Sequence, residues 1–191
     1  MLFEIQHSSI EVFSIVKHEL NRGALDKKHP FRYVVFATQG DVTPDLRHVV
    51  LRKIDEDLSF FIYTDARTQK VKSIQADPNV SLLFYHPQKR AQIRISGQAY
   101  LHYQDALATD HWNRVQGEAR KAYNSLIAPG LSIHQPEEAF FWNEDLTSNQ
   151  HFMLVEVVPY SIEALQLNGL EHLRIRFTRE EDSWTGSWIA P

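Results

Sequence analysis

The sequence contains no cysteine, which excludes disulfides, thiolate catalysis and cysteine-ligated metal sites. None of its seven glycines forms a GxGxxG or P-loop pattern, the usual marks of dinucleotide and nucleoside-triphosphate folds. The ten histidines include no HExxH pattern and no pair spaced i, i+4, so nothing local supports a zinc hydrolase site. A GxSxG nucleophile elbow is also missing. These absences weaken the hydrolase and nucleotide-fold interpretations.

The chain also lacks long apolar runs and a large excess of one charge. No run approaches the roughly 20 residues of a membrane span, and residues 1–7 lack the basic and apolar regions of a signal peptide. The formal charge of −4 argues against a general nucleic-acid surface. We therefore expect a cytoplasmic protein with neither membrane nor nucleic-acid partners.

The sequence has 43% hydrophobic and 23% charged residues, as folded domains do, and we expect one domain over residues 1–191. A capping box at Ser8 and Glu11 begins an amphipathic helix that Gly23 would end. β-branched and aromatic runs between short turns then predict about seven strands. The expected fold class is mainly β (α+β), a small β-barrel with peripheral helices.

The second half of the chain alternates regular and irregular segments. Helices are predicted after Asp105 and from Glu118, and residues 128–150 are predicted to be an irregular lid or interface loop. Strands are predicted at residues 152–158 and 162–167, followed by a terminal hairpin that turns at residues 180–182.

Cations gather where the predicted strands end. Arg47 and Arg52 begin and end one apolar run, where a free cation is poorly solvated. Thr68 and Lys70 begin a short helix, whose free N–H groups favour an anion. A spacing of five places Arg47 and Arg52 on opposite faces of a regular strand, unless a bulge intervenes. This pattern indicates a phosphate or anion site on a β scaffold, although each cation alone could be ordinary surface charge.

Five segments resemble, in order and spacing, the pyridoxine/pyridoxamine 5'-phosphate oxidase family of FMN-binding split barrels. Residues 47–52 (Arg-His-Val-Val-Leu-Arg) are similar to the family's Arg-x-Val-Leu-Leu-Lys strand, and residues 63–70 (Tyr-Thr-Asp-Ala-Arg-Thr-Gln-Lys) resemble Tyr-Thr-Asn-x-x-Ser-Arg-Lys. Residues 77–84 match Asn-Pro-x-Val-Ala/Ser-Leu-x-Phe, and residues 92–97 match Gln-Val-Arg-Ile-x-Gly. Near the end, residues 172–174 (His-Leu-Arg) resemble the family's His-x-Arg.

The resemblance implies an FMN cofactor and a homodimer with cofactor sites at the subunit interface. It implies that the phosphate lies on Arg47, Thr68 and Lys70, and that Gln69 stands where the family has a second phosphate Arg. It implies that Tyr63 and Thr64 line the ribityl chain or ring, that Gln92 bonds the flavin, and that Arg174 approaches it from the partner subunit. The full implied cofactor set is Arg47, Val50, Leu51, Arg52, Tyr63, Thr64, Thr68, Gln69, Lys70, Gln92 and Arg174.

The substrate side departs from the family pattern. The vitamin-processing oxidases have an Arg at the position of Leu170 and a Trp near the position of Ala164. The middle segment of the chain does not align with the family. Substrate contacts would therefore fall on Arg52, Arg120, Tyr123 and His172, with the catalytic residue unknown. We expect an FMN-dependent oxidoreductase acting on an unidentified small molecule. A true pyridoxamine/pyridoxine 5'-phosphate oxidase and a non-catalytic flavin- or haem-binding module remain as alternatives.

Overall fold

The computed structural model describes residues 1–181 and 183–191. Within them lie three α-helices, eight strands and three 3₁₀ segments. The helices are α1 Ser9–Leu25, α2 Gln69–Ala76 and α3 Ala106–Asn113. The strands are β1 Tyr33–Thr38, β2 Asp45–Ile54, β3 Phe60–Asp65, β4 Asn79–His86, β5 Ala91–His102, β6 Phe152–Gln166, β7 Leu173–Glu180 and β8 Ser183–Ile189. The 3₁₀ segments are Pro30–Arg32, Gly117–Tyr123 and Pro136–Phe140.

Six of these strands close an antiparallel barrel. The sheet order is β3-β2-β1-β4-β5-β6-β7-β8, and β3 pairs back onto β6 from Phe60↔Val157 to Asp65↔Phe152. Closure removes the exposed edges that β3 and β6 would otherwise present. Strands β7 and β8 extend the sheet beyond the barrel as a hairpin. The predicted mainly β fold, a barrel with peripheral helices, is confirmed.

The core fills the barrel and the space under α1. Phe36, Phe60 and Phe84 are fully buried inside, and α1 contributes Val12 and Val16 to the same cluster. Burying one such side chain stabilises the fold by about 1.5–3 kcal/mol. A second, smaller cluster lies on the outer face of β3, where α3 covers it. It consists of Phe61, Ala108, Trp112, Val115, Tyr123, Phe152 and Leu154, with Tyr63 and Leu107 at its margin.

Strand β6 corrects the prediction of two separate strands around Pro159. It is one strand of 15 residues whose first part pairs with β3 and whose last part pairs with β7. Proline removes a ladder donor, but here it lies at a bulge, where the pairing with β5 shifts register between Ser96 and Gly97. A Cβ on Gly97 would lie 2.5 Å from the Val158 carbonyl oxygen, so only glycine allows this approach.

The helix predictions are partly right. Ser8 and Glu11 form the capping box of α1, but α1 continues past Gly23 to Leu25. Gly23 serves packing, because a Cβ there would lie 2.6 Å from Phe31 Cβ. The predicted helix from Glu118 is only the 3₁₀ segment Gly117–Tyr123.

Residues 128–150 are irregular as predicted, apart from the short 3₁₀ segment Pro136–Phe140. The predicted turn at residues 180–182 includes Asp182, which lies outside the described residues. No helix among the described residues is long and apolar enough to cross a membrane.

Candidate functional site

Arg47 lies on β2 with its side chain held over β1. Its guanidinium donates to Thr38 Oγ1 at 2.8 Å and to the Phe36 carbonyl oxygen at 3.3 Å. The guanidinium carbon is 6.0 Å from the centroid of the Phe36 ring, and the half-exposed Asp45 lies 3.3 Å away. Burial lowers the pKa of Arg47 from its ordinary value, and Asp45 opposes the shift. The arginine is therefore fixed in place and still faces solvent on one side.

Lys70 and two threonines meet at the junction of β3 and α2. Lys70 Nζ donates to Thr64 Oγ1 at 3.0 Å, and Thr64 Oγ1 lies 3.4 Å from Thr68 Oγ1. Thr68 is the N-cap of α2, but its hydroxyl bonds to the Asp65 carbonyl instead of capping the helix. The first amides of α2 therefore have no side-chain cap, and Gln69, the first helical residue, is exposed.

These groups concentrate positive charge, and Asp45 beside Arg47 is the carboxylate paired with them among the described residues. Burial lowers the pKa of Lys70, the charge of Arg47 lowers it further, and Asp65 opposes both. Among the described residues, no ion pair within 4.0 Å involves Lys70. Two cations close enough to repel each other, three hydroxyls and an uncapped helix N-terminus favour an anion with several acceptor oxygens. Arg47, Thr38, Thr64, Thr68 and Lys70 are called the cation cluster below.

Strand β2 contains the bulge that the spacing of Arg47 and Arg52 raised as one possibility. The pairing with β3 shifts register between Leu51 and Lys53. Leu51 is buried in the main core and Val50 is half-buried, so Leu51 at least cannot offer its side chain to a ligand. The two arginines nevertheless contact different groups, because Arg47 belongs to the cation cluster and Arg52 does not.

Arg52 lies on the outer face of β2 and β3 with two tyrosines. Its guanidinium carbon is 5.1 Å from the centroid of the Tyr63 ring, and it lies near enough to Tyr123 to act on the pKa of that phenol. Burial raises the pKa of Tyr123, and Arg52 opposes the shift. The adjacent residues Tyr63 and Thr64 therefore point to opposite faces, since Thr64 faces Lys70.

Arg120 is near this outer face but is already engaged. Its Nε donates to the Val115 carbonyl oxygen at 2.8 Å, and its guanidinium lies 4.9 Å from the centroid of the Trp112 ring. These contacts fix the orientation of the arginine while leaving other N–H groups without bonds to the described residues.

Gln92 and Arg174 lie in one row across three strands, because both are in register with Leu165 of β6. Arg174 donates to Glu163 Oε1 through Nε at 2.9 Å and through a terminal nitrogen at 2.6 Å. Arg94 and Arg176 bond the other carboxylate oxygen at 3.0 and 3.1 Å. Burial would raise the pKa of Glu163, but the arginines outweigh it and the pKa is lowered.

Sequence reasoning missed Glu163 and Arg176. The signal was available in the register, because Arg94, Glu163 and Arg176 face each other across β5, β6 and β7. Three arginines on one carboxylate leave this face of the sheet positively charged.

His172 joins none of these groups within one chain. Its Nδ1 accepts from the Asn168 backbone N–H at 3.1 Å, which stabilises the connection before β7. Its side chain lines a cleft of about 440 Å³ shared with Met1, Glu4 and Ile5.

A buried group around Glu19 contains the residue types of a metal site, but its hydrogen bonds differ from those of a metal site. Ligand atoms of Glu19, His29 and His86 lie within 4.8 Å of one another. Nδ1 of each histidine accepts a backbone N–H, from Phe31 and Lys89, which leaves the ring proton on Nε2 facing Glu19. Lys89 Nζ also bonds Glu19 at 2.6 Å. The group joins α1 to the end of β4, where His86 Nε2 lies 3.4 Å from Glu19, and it occupies the lone pairs that a cation would need.

Comparison with known proteins finds a matching family model and similar sequences. Residues 13–103 match the family described as pyridoxamine 5'-phosphate oxidase, FMN-binding domain. The pyridoxine/pyridoxamine 5'-phosphate oxidase of Ehrlichia chaffeensis is 26% identical over 196 residues, covering 94% of this chain and 96% of that protein. The protein of the same name from Flavobacterium johnsoniae is 29% identical, covering 76% and 72%.

Solved structures show the same fold. A pyridoxamine 5'-phosphate oxidase-related, FMN-binding protein from Nostoc punctiforme has a TM-score of 0.76 and 25% identity, covering 93% of this chain and 96% of its own. PhzG from Burkholderia lata, solved with tetrahydrophenazine-1-carboxylic acid, has a TM-score of 0.77 at 18% identity. It covers 100% of this chain and 98% of its own, and at that identity it supports the fold alone.

Proposed function

We propose that the chain is a member of the pyridoxamine 5'-phosphate oxidase-like family of FMN-binding split barrels, and that it is an FMN-dependent oxidoreductase working as a homodimer. FMN is the cofactor of this family domain. The proposal includes a single domain over residues 1–191, a cytoplasmic location and a small-molecule substrate, as predicted above.

The observation that supports the proposal most is the cation cluster. A terminal phosphate dianion matches two adjacent cations, three hydroxyls and an uncapped helix N-terminus better than any neutral group does. Lys70 is also poorly solvated and has no carboxylate partner among the described residues, so an anion at this position would favour its ionised form. In this arrangement Arg47, Thr68 and Lys70 hold the phosphate. Backbone groups at Val50, Leu51, Tyr63 and Thr64 would line the rest of the cofactor, with Gln69 at the rim.

The flavin ring would lie at the interface of two subunits. The outer faces of β5 and β7 present Gln92 and Arg174, and both side chains are half-buried. Glu163 holds Arg174 in one orientation. A cation fixed beside the ring favours electron uptake. In the dimer, Gln92 would bond the flavin and Arg174 of the partner subunit would approach the ring.

The substrate would enter on the side of Arg52. FMN supplies the redox chemistry when bound, and the protein orients the substrate and excludes water. Arg52 with Tyr123 offers donors to an anionic group, and Arg120 and His172 are weaker candidates. Leu170 is fully exposed and has no donor, so the substrate is proposed to differ from pyridoxamine 5'-phosphate. Activity as a true pyridoxamine 5'-phosphate oxidase is the second candidate, favoured by the Arg52–Tyr123 contact.

Anaerobic reduction of the FMN-loaded protein tests whether it is an enzyme. We expect NADH, NADPH or a primary amine to bleach the flavin absorbance and oxygen to restore it. A tightly bound flavin that none of these donors reduces would favour the non-catalytic binding module instead.

A further inference from the structure

His111 is a buried histidine that has no role in the proposed function described above. It lies on α3 with 0% of its surface exposed. Its ring packs at 5.1 Å from the Phe61 ring and edge-on to the Tyr63 ring, with 5.6 Å between centroids and 88° between planes. Its Nδ1 lies 3.1 Å from Tyr63 Oη. Among residues 1–181 and 183–191, its Nε2 is the buried side-chain atom that has no hydrogen-bond partner.

The position of the ring proton follows from these contacts. Burial lowers the pKa of His111, and the charges of Arg114 and Lys53 lower it further, so the ring is neutral and carries one proton. A proton on Nε2 would be a buried N–H without a protein acceptor, which is rare in folded proteins. A proton on Nδ1 can instead be donated to Tyr63 Oη.

This assignment determines what Tyr63 can do. A phenol that accepts from His111 keeps its own O–H for another acceptor. Burial raises the pKa of Tyr63, and Arg52 only partly opposes this, so the hydroxyl stays protonated at neutral pH. Arg52 stacks on the same ring, and no ion pair within 4.0 Å involves it in the described part of the chain. The Tyr63 hydroxyl and the Arg52 guanidinium are therefore two donors on one face, and neither has an acceptor among the described residues when His111 is the donor to Tyr63.

We propose that His111 is a positioning residue that holds Tyr63 as a hydrogen-bond donor, and that Tyr63 and Arg52 together bind an anionic oxygen of the substrate. The oxygen belongs to a carboxylate or a phosphate, because both groups carry negatively charged oxygens that accept hydrogen bonds. The inference rests on the proposed function for the presence of a substrate on this face, and it adds His111 and the Tyr63 hydroxyl to the substrate contacts.

The tautomer can be measured without any cofactor. Nitrogen-15 NMR of histidine-labelled protein separates the two neutral tautomers by the shifts of the ring nitrogens. The His111 signals are assigned by their loss in His111→Phe, or in His111→Gln if the first variant does not fold. We expect Nδ1–H, and a proton on Nε2 would overturn the inference. Because apo protein is sufficient, a failure here is distinct from a failure to bind FMN.

The donor role is tested by titrating FMN-loaded protein with benzoate and with phenyl phosphate, followed by flavin absorbance. The tighter-binding probe identifies the anion class. Tyr63→Phe and His111→Phe should each weaken that probe about tenfold, the effect of one hydrogen bond to a charged group. The double variant should be no weaker than either single variant, because both changes remove one donor.

The control is Tyr100→Phe, since Tyr100 is exposed on β5, and its affinity for the probes should match that of the wild type. FMN affinity and melting temperature are measured for every variant, so that cofactor loss or misfolding is recognised. The proposal would be overturned by additive losses of affinity, or by a Tyr63→Phe variant that binds the probe as tightly as the wild type. It would also be overturned if the wild type bound neither probe at millimolar concentration. A structural role for His111 would lower the melting temperature without this non-additivity.

Discussion

Replacing Lys70 by methionine should weaken FMN binding while leaving the apo protein at least as stable. The Lys70 ammonium lies 3.0 Å from Thr64 Oγ1, beside Arg47 and the start of α2. A hydrogen bond to a charged group contributes about 1.5–3 kcal/mol. At about 1.4 kcal/mol per factor of ten, the dissociation constant for FMN should rise about 10- to 100-fold.

The stability part of this prediction follows from the environment of the charge. Burial and Arg47 both lower the pKa of Lys70, so without an anion the surroundings oppose its ionised form. Methionine has a similar length and no charge, and it removes that repulsion at the cost of one bond to Thr64. We therefore expect the free energy of unfolding of the apo variant to be unchanged or slightly raised.

Flavin fluorescence titration gives the affinity, and urea denaturation of the apo protein gives the stability. Lys72→Met is the matched control, because Lys72 is exposed on the same helix. An unchanged affinity for FMN in Lys70→Met, or an equal loss in Lys72→Met, would remove Lys70 from the phosphate site.

Three further predictions concern assembly, substrate and the buried Glu19 group. Light scattering should find a homodimer, and a monomer that retains FMN would contradict the shared site. Aerobic turnover of pyridoxamine 5'-phosphate, followed as pyridoxal 5'-phosphate, should stay below about 1 s⁻¹, whereas faster turnover would show that Leu170 is no obstacle. Glu19→Gln should lower the free energy of unfolding at pH 7 by about 2–3 kcal/mol in urea denaturation, with exposed Glu118→Gln as the control. Burial opposes ionisation of Glu19, but bonds from Lys89 and His29 lower its pKa. This contribution is therefore present above the unfolded pKa of about 4.3 and is lost as the pH falls through the folded value.

The barrel was predictable because its strands carry strong local patterns. In strand β5, buried residues such as Ile93 and Ile95 alternate with more exposed ones such as Arg94, a pattern that can be read directly from the sequence. The capping box at Ser8 and the N-cap at Asp105 were also confirmed, because both depend on residues close in sequence. Local signals of this kind need no knowledge of the rest of the chain.

Two errors arose where tertiary contacts override local signals. Pro159 predicts a strand break, but β6 continues through it because the bulge with β5 needs no N–H there. Gly23 predicts a helix end, but it lies inside α1 because Phe31 packs against its backbone. In the first case the deciding contact depends on the strand register, and in the second it is made by Phe31, which lies outside α1.

The candidate site likewise contains residues that local motifs predict and residues that only tertiary contacts reveal. Arg47, Thr68 and Lys70 are recognisable from short motifs, and the structure brings them together. Glu163 and His111 belong to no such motif, and their importance comes from partners on other elements, Arg174 and Tyr63. The likeness to known proteins supports the cofactor, and the substrate contacts stay predictions, because residues 128–150 and Leu170 follow no shared pattern.

Native mass spectrometry of the purified protein tests the central claim most directly, because it reports cofactor mass and subunit number together. The account predicts a dimer carrying two molecules of FMN, each released on denaturation as free, non-covalent cofactor. A bound mass of FAD or haem, or no retained mass after incubation with excess FMN, would contradict it.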